Sequence, residues 1–171
     1  TNCTMLYGHV ETADDRIEHL TALRALQDET GGFLTYIPLA YHPDHNALGE
    51  ELGRVGGATT AYEDLKNIAV GRLFLDNIPH VKTHWPMQVA LSFGCDDVEG
   101  TVVYERIYHE AGATTEMHLQ YHDLVSLIAG AGKRPVERDS LYQVVRDHCD
   151  DKAAEPPRDA GTARAPAVHA A

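Results

Sequence analysis

Phe33-Leu34-Thr35-Tyr36-Ile37-Pro38-Leu39 is a compact run, almost wholly apolar, aromatic or β-branched. It reads as a strand buried on both faces, of the kind that lies inside a parallel sheet beneath helices. Upstream, Thr12-Ala13-Asp14-Asp15 opens a helix: the threonine hydroxyl caps free N–H groups and the acids favour the positive end of the helix dipole. Ile17, Leu20, Leu23 and Leu26 carry a helical stripe as far as Gly31-Gly32, which ends it. Before that helix, Thr1 to Tyr7 reads as another strand, closed by Gly8. Downstream, Tyr41 to Thr59 is a loop rich in glycine, histidine and acids, longer than most connections and therefore expected to be functional or mobile. Thr60-Ala61-Tyr62-Glu63 then has the form of a capping box ahead of Leu65, Ile68, Ala69 and Leu73.

The same rhythm continues. Ile78-Pro79-His80-Val81-Lys82 is the third strand candidate, Gln88 to Phe93 a short helix ended by Gly94, and Cys95-Asp96-Asp97-Val98 leads into Gly100-Thr101. A further helix is expected from about Thr115 to Ile128, with Leu124, Leu127 and Ile128 inward and Gly130 and Gly132 closing it. Beyond Asp150 the composition is that of a disordered tail. Strand and helix alternate four times, which implies parallel strands with right-handed crossovers. A small open sheet and half of an eight-fold barrel both satisfy that pattern.

Composition narrows the function. The 171 residues carry 14 Lys+Arg against 26 Asp+Glu, a formal charge of −12 that repels phosphate backbones, so no nucleic-acid partner is expected. No apolar run approaches the roughly 20 residues that span a bilayer, and no membrane partner is expected. Cys3, Cys95 and Cys149 lie far apart with no CxxC among them, which favours a reducing, cytoplasmic setting over a disulfide framework. The chain opens at Thr1 with a strand already under way, so a piece of a longer protein is expected.

In parallel α/β architectures ligands gather at the carboxyl ends of the strands. Here those ends are followed by Gly8, His9 and Glu11; by Tyr41, His42, Asp44, His45 and Asn46; by His84 and Trp85; and by Asp96, Asp97, Gly100 and Thr101. Polar groups after all four strands point to a binding surface at that edge. The eleven histidines include His42/His45, His80/His84 and His118/His122, but none has the third ligand or the intervening glutamate of a zinc site, and surface or satisfied histidines explain them better. Asp96-Asp97 fits a catalytic or metal-binding pair and equally a turn cap, and Cys95 reads as a small core residue.

Several blocks resemble one enzyme group. They are Thr4-Met5-Leu6-Tyr7-Gly8-His9-Val10-Glu11-Thr12, Asp15-Arg16-Ile17-Glu18-His19-Leu20, Leu26 to Phe33, Ile37-Pro38-Leu39-Ala40-Tyr41-His42-Pro43, Asp76 to Lys82, Gln88 to Gly94 and Asp96 to Val103. In that order, from Thr4 to about Tyr142, they resemble the C-terminal half of the aminofutalosine synthase group of radical S-adenosylmethionine enzymes, which act on the futalosine route to menaquinone. The dehypoxanthine futalosine cyclases and the deazaflavin cofactor synthases are close relatives of that group.

The resemblance implies the C-terminal half of a (β/α) barrel of the TIM type and radical SAM kind, followed by C-terminal helical elements. Residues 1–112 would form the barrel half, 113–149 the C-terminal helix and extension, and 150–171 the tail. It implies S-adenosylmethionine and a [4Fe-4S] cluster as cofactors. The substrate would be 3-[(1-carboxyvinyl)oxy]benzoate, to which a 5′-deoxyadenosyl radical adds on the way to aminofutalosine. Leu6, Gly8 and Glu11 resemble the strand motif near the adenosine, while His9, His42, Asp97 and Thr101 fall where a substrate carboxylate or ribose could be held. The CxxxCxxC loop of the family's N-terminal half is absent from this sequence, so the cluster ligands, and an N-terminal barrel half as partner, are expected elsewhere. The chain alone is expected to be inactive and marginally stable. Lys82 to Gln88 is also shorter than the family pattern. The alternatives are the sister cyclase chemistry, a non-catalytic remnant and a histidine metal module.

Overall fold

The computed structural model describes residues 1–53, 59–83, 88–98 and 120–148. Four strands, β1 (Asn2–Tyr7), β2 (Thr35–Ala40), β3 (His80–Thr83) and β4 (Asp97–Val98), form one sheet in the order β1-β2-β3-β4. Every pairing in it is parallel. Helix α1 (Ala13–Thr30) connects β1 to β2, and α3 (Ala61–Phe74) lies between β2 and β3. A five-residue helix, α2 (Ala47–Glu51), sits inside the stretch read from sequence as a plain loop, and a 3-10 turn spans Gln88–Ser92. Helix α4 (Tyr121–Gly130) precedes an antiparallel hairpin of β5 (Val136–Arg138) and β6 (Val144–Asp147).

The long helices start where their caps dictate. Thr12 and Thr60 each accept a hydrogen bond from the N–H three residues on, and Asp15 and Glu63 reach back to the cap residue, completing two capping boxes. Gly31 ends α1 in the left-handed region at φ 59°, which glycine reaches at no steric cost. Because the strands follow one another without a reversal, α1 and α3 lie on the same side of the sheet and touch. Leu20, Tyr36, Ile68, Leu75, Ile78 and Val81 form the core between them. Strand β1 alternates, with Cys3, Met5 and Tyr7 in that core and Thr4 and Leu6 turned away from it. The first four residues of β2 are buried, as its apolar run predicts.

The core is tight where α3 meets β2. A Cβ built on Gly71 would lie 2.5 Å from Cε1 of the fully buried Tyr36 ring. Gly71→Ala should therefore cost about 1–3 kcal/mol through overpacking. A shift in the urea midpoint at unchanged slope would report it, and an unshifted midpoint would show that the Tyr36 ring yields freely.

The C-terminal region departs from the sequence reading. A helix followed by further helical elements was expected after residue 113; among the described residues, one helix leads into the β5–β6 hairpin. The hairpin has little core of its own, since all four residues of β6 are exposed. It is held by docking on the sheet. The Tyr142 ring stacks on His80 at 3.8 Å and an interplanar angle of 7°, and the Arg138 guanidinium lies 3.9 Å over the same ring. Tyr142 adopts a positive φ of 63°, unusual for a residue with a side chain, at the turn that makes this possible. The expected tail from Asp150, the shortened segment around His84 and Trp85, and the 115–119 part of the expected last helix lie outside the described residues.

Candidate functional site

Polar residues converge beyond the carboxyl ends of β1 and β2. Gly8, at φ 88°, turns the chain sharply out of β1. Glu11 folds back over that turn: its Oε1 accepts from the Gly8 N–H at 2.5 Å and its Oε2 from the His9 N–H at 2.9 Å. Arg16, one turn into α1, donates from Nε to Glu11 Oε1 at 2.8 Å and pairs with it again through its terminal nitrogen at 2.5 Å. Burial pushes the Glu11 carboxyl up, but the Gly8 and His9 amides and the Arg16 guanidinium outweigh it and hold the group below the usual carboxylate range. Glu11 is thus ionised and fully engaged; it sets the turn on which His9 sits.

His9 is fixed from two sides, with Nδ1 3.2 Å from Glu11 Oε2 and Nε2 3.2 Å from the Leu6 carbonyl. Its ring meets that of Tyr41 edge-on, with centroids 6.0 Å apart. The Tyr41 N–H donates to the Tyr7 carbonyl at 2.8 Å, which joins the ends of β1 and β2. Asn46 organises the next turn: its amide donates to the His42 and Asp44 carbonyls, and its Oδ1 accepts from the Tyr41 hydroxyl and the Gly49 N–H. A half-buried His42 is carried on this turn. Underneath, Tyr7 donates to Asp64 at 2.8 Å and Arg16 reaches Asn67 at 3.2 Å, so α3 supports both sides of the cluster. Leu6, 50% exposed, presents an apolar surface beside it on the face turned away from α1 and α3.

The structure therefore brings Leu6, Gly8, His9, Glu11 and the Tyr41-His42 turn to one edge. Asp97 does not join them. The sequence reading placed it after the fourth strand, but β4 starts at Asp97, which pairs in register with Lys82. Its Oδ1 accepts from Arg138 Nε at 3.1 Å, while its Oδ2 accepts from the Arg138 terminal nitrogen and, at 2.7 Å, from the Tyr142 hydroxyl. This carboxylate anchors the hairpin. Burial together with the Asp97 charge pushes the Tyr142 phenol up to about 12, so it stays protonated and donates. Asp96 also has a structural setting, accepting from Val81 N–H at 2.8 Å and Arg72 at 2.6 Å and meeting His80 Nδ1 at 2.8 Å. Thr101 lies outside the described residues.

Asn46 was named from sequence among the residues after the second strand; Arg16, Asp64 and Arg138 are the supports that the sequence reading missed. Of these, Arg16 had a legible signal, one turn after an acid that follows a glycine turn.

A [4Fe-4S] cluster needs thiolates that converge. Cys3 and Cys95 are buried separately, in β1 and just before β4, and burial raises each thiol to about 11. They do not fit a cluster, and among the described residues no three His, Cys, Asp or Glu side chains come together to hold a metal ion. At this edge Leu6 is exposed beside a buried Gly8 turn, whose N–H and that of His9 are held by Glu11. No described helix is long and apolar enough to cross a membrane.

A parallel α/β unit with its polar groups gathered at one strand edge belongs to the class of folds that bind small molecules there. Residues 30–151 match the family model of the CofH/MqnC C-terminal region, and the chain belongs to this family. It is 51% identical over 152 residues to an aminodeoxyfutalosine synthase of Thermus thermophilus, covering 85% of this chain and 41% of that protein. It is 45% identical over 160 residues to the aminodeoxyfutalosine synthase of Streptomyces coelicolor, covering 86% and 41%. A 5-amino-6-(D-ribitylamino)uracil–L-tyrosine 4-hydroxyphenyl transferase of Methanococcoides burtonii is 37% identical over 154 residues, covering 85% and 43%. The chain thus spans about two fifths of the length of the curated relatives it matches.

Proposed function

We propose that this chain supplies the C-terminal part of a radical SAM aminodeoxyfutalosine synthase. The higher identity to the synthases than to the hydroxyphenyl transferase carries this reading. In it, residues 1–112 contribute half of a (β/α) barrel, 113–149 the extension that docks back on the sheet, and an N-terminal half provides the remaining strands and the cluster ligands. In the whole enzyme S-adenosylmethionine would supply the adenosyl carbon, its C5′–S bond breaking with methionine as the leaving group, and its addition to the enol ether of 3-[(1-carboxyvinyl)oxy]benzoate would be followed by loss of CO2 or bicarbonate. The cofactors, when bound in the whole enzyme, supply its radical chemistry.

This chain's residues bind and orient. Leu6 and Gly8 form the floor for the adenosine, and Glu11, through Arg16, fixes the Gly8–His9 turn. His9 and His42 face the substrate's ribose or carboxylate. Without the cluster ligands the chain alone is inactive, and its place is in the cytoplasm.

The test is a chimera in which this chain replaces the matching segment of the Thermus thermophilus relative. Reconstituted with cluster and S-adenosylmethionine, it is expected to form aminodeoxyfutalosine, and a His9→Ala version to lose about tenfold or more in kcat/KM. A folded, cluster-loaded chimera that makes no such product would sink the reading, and turnover of dehypoxanthine futalosine instead would assign the cyclase chemistry.

A further inference from the structure

Strand β1 comes first in the sheet order, so among the described residues it pairs on one side alone, with β2. Its odd-numbered residues face that neighbour: the Thr1 and Tyr7 carbonyls accept from the Leu34 and Tyr41 N–H groups on the β2 side. Backbone groups alternate along a strand, so those of Asn2, Thr4 and Leu6 point out along the open edge. Nothing in Asn2-Cys3-Thr4-Met5-Leu6-Tyr7 blunts such an edge, since the run holds no charge and no proline.

Two histidines close part of it instead. His19 reaches from α1 to place Nε2 3.0 Å from the Thr4 carbonyl, and His9 folds back to place Nε2 3.2 Å from the Leu6 carbonyl. A carbonyl only accepts, so both rings donate from Nε2. Thr4 and Leu6 are successive outward-facing residues, and a strand laid along β1 would need the same two acceptors.

We propose that His9 and His19 are a removable cap on this edge, displaced by a parallel strand from the part of the whole enzyme that this chain does not span. The chain covers about two fifths of its synthase relatives, and every pairing in its sheet is parallel, so one more parallel strand continues the same ladder. The cap yields because two side-chain bonds compete with a full ladder of backbone bonds and with burial of the exposed Leu6. Once the Leu6 carbonyl is taken, His9 Nε2 is released while Glu11 keeps Nδ1. Completing the sheet thus hands the site a histidine that the open chain spends on its own backbone. The identity of the displacing strand and the use of the released His9 rest on the proposed function; the cap itself does not.

The experiment follows self-association and amide exchange in the whole 171-residue chain and in the chimera described above. In the chain, His19→Ala, and more so the double variant with His9→Ala, is expected to strengthen self-association in sedimentation by about tenfold. Two uncapped β1 edges then pair antiparallel across a two-fold axis, and the Thr4 and Leu6 amides should exchange about tenfold more slowly. His19→Gln, which keeps a donor near the position of Nε2, should behave as the unaltered chain. Unchanged association in both alanine variants, association that leaves Thr4 and Leu6 exchange unaltered, or a His19→Gln that behaves as alanine would each overturn the cap. His19 is exposed, so His19→Ala decides should the double variant lose its fold. In the chimera the Thr4 and Leu6 amides are expected to be protected, and the Nε2 protons of both histidines, followed in histidine-labelled nitrogen spectra, to leave their carbonyls. Fast exchange at both amides or retained Nε2 bonds would overturn the displacement. Protected amides in a chimera that makes no aminodeoxyfutalosine would keep the edge and remove the synthase; product with unprotected amides would do the reverse.

Discussion

Asp97→Ala is expected to lower folding stability by about 3–5 kcal/mol, the cost of removing one partner from a buried ion pair. The Asp97 side chain is 10% exposed, and both its oxygens are occupied by Arg138 and the Tyr142 hydroxyl. Alanine would leave a guanidinium and a phenol facing each other with no acceptor between them. The loss falls on the docked hairpin, so the part of the urea transition that reports Tyr142 should move sharply to lower denaturant or vanish at 25 °C while the α1–α3 core keeps its own. Asp97→Asn keeps an acceptor but not the charge and should fall between the two. A loss below about 1 kcal/mol, the scale of a surface pair, would show that the hairpin does not depend on this carboxylate.

Glu11→Gln is expected to cost about 3 kcal/mol at neutral pH, because an amide cannot serve the Gly8 and His9 N–H groups and the Arg16 guanidinium together. Its pH dependence follows from the direction of the shift. Glu11 in the folded chain lies below its ordinary 4.5, so its contribution is complete above that value and is lost as pH falls through the lower folded value. Asp15 and Glu63, held low first by the backbone of Thr12 and Thr60, add to the acid sensitivity of both proteins. The difference between the unaltered chain and Glu11→Gln isolates Glu11: it should be largest at pH 7 and shrink below about pH 4. Urea midpoints across that range check it, and a difference that stays constant into acid would contradict the ionised-turn account.

The sequence was most legible where the decisive interactions are local. Thr12 with Asp15, Thr60 with Glu63, and the terminating Gly31 lie within four residues of what they cap, so both long helices could be read with their starts. The double burial of β2 was legible from its unbroken apolar run. The edge holding Gly8, His9 and Glu11 was legible because strand ends imply it, although the Glu11–Arg16 pairing that organises it was not. The hairpin escaped notice for the opposite reason. Val144-Val145-Arg146-Asp147 shows no alternation, since every residue in it is exposed, and the strand exists because Arg138 and Tyr142 find Asp97 more than forty positions away. Asp97 was misplaced for a related reason: two acids in a row look like a strand end until the register with Lys82 shows Asp97 to be a strand beginning. Helix α2 depends on Asn46 accepting from Gly49 after His45 has turned to φ 55°, a conformation that composition does not reveal.

The hairpin clasp also has a consequence for the order of assembly. Arg138 must close a loop of 41 residues to reach Asp97, and Asp97 is in place only once β4 has joined β3. Closing so long a loop gives little return until the sheet is already built. The clasp is therefore a latecomer to the fold and the first part to let go, leaving α1, α3 and the strand edge they support standing when the C-terminal hairpin swings away.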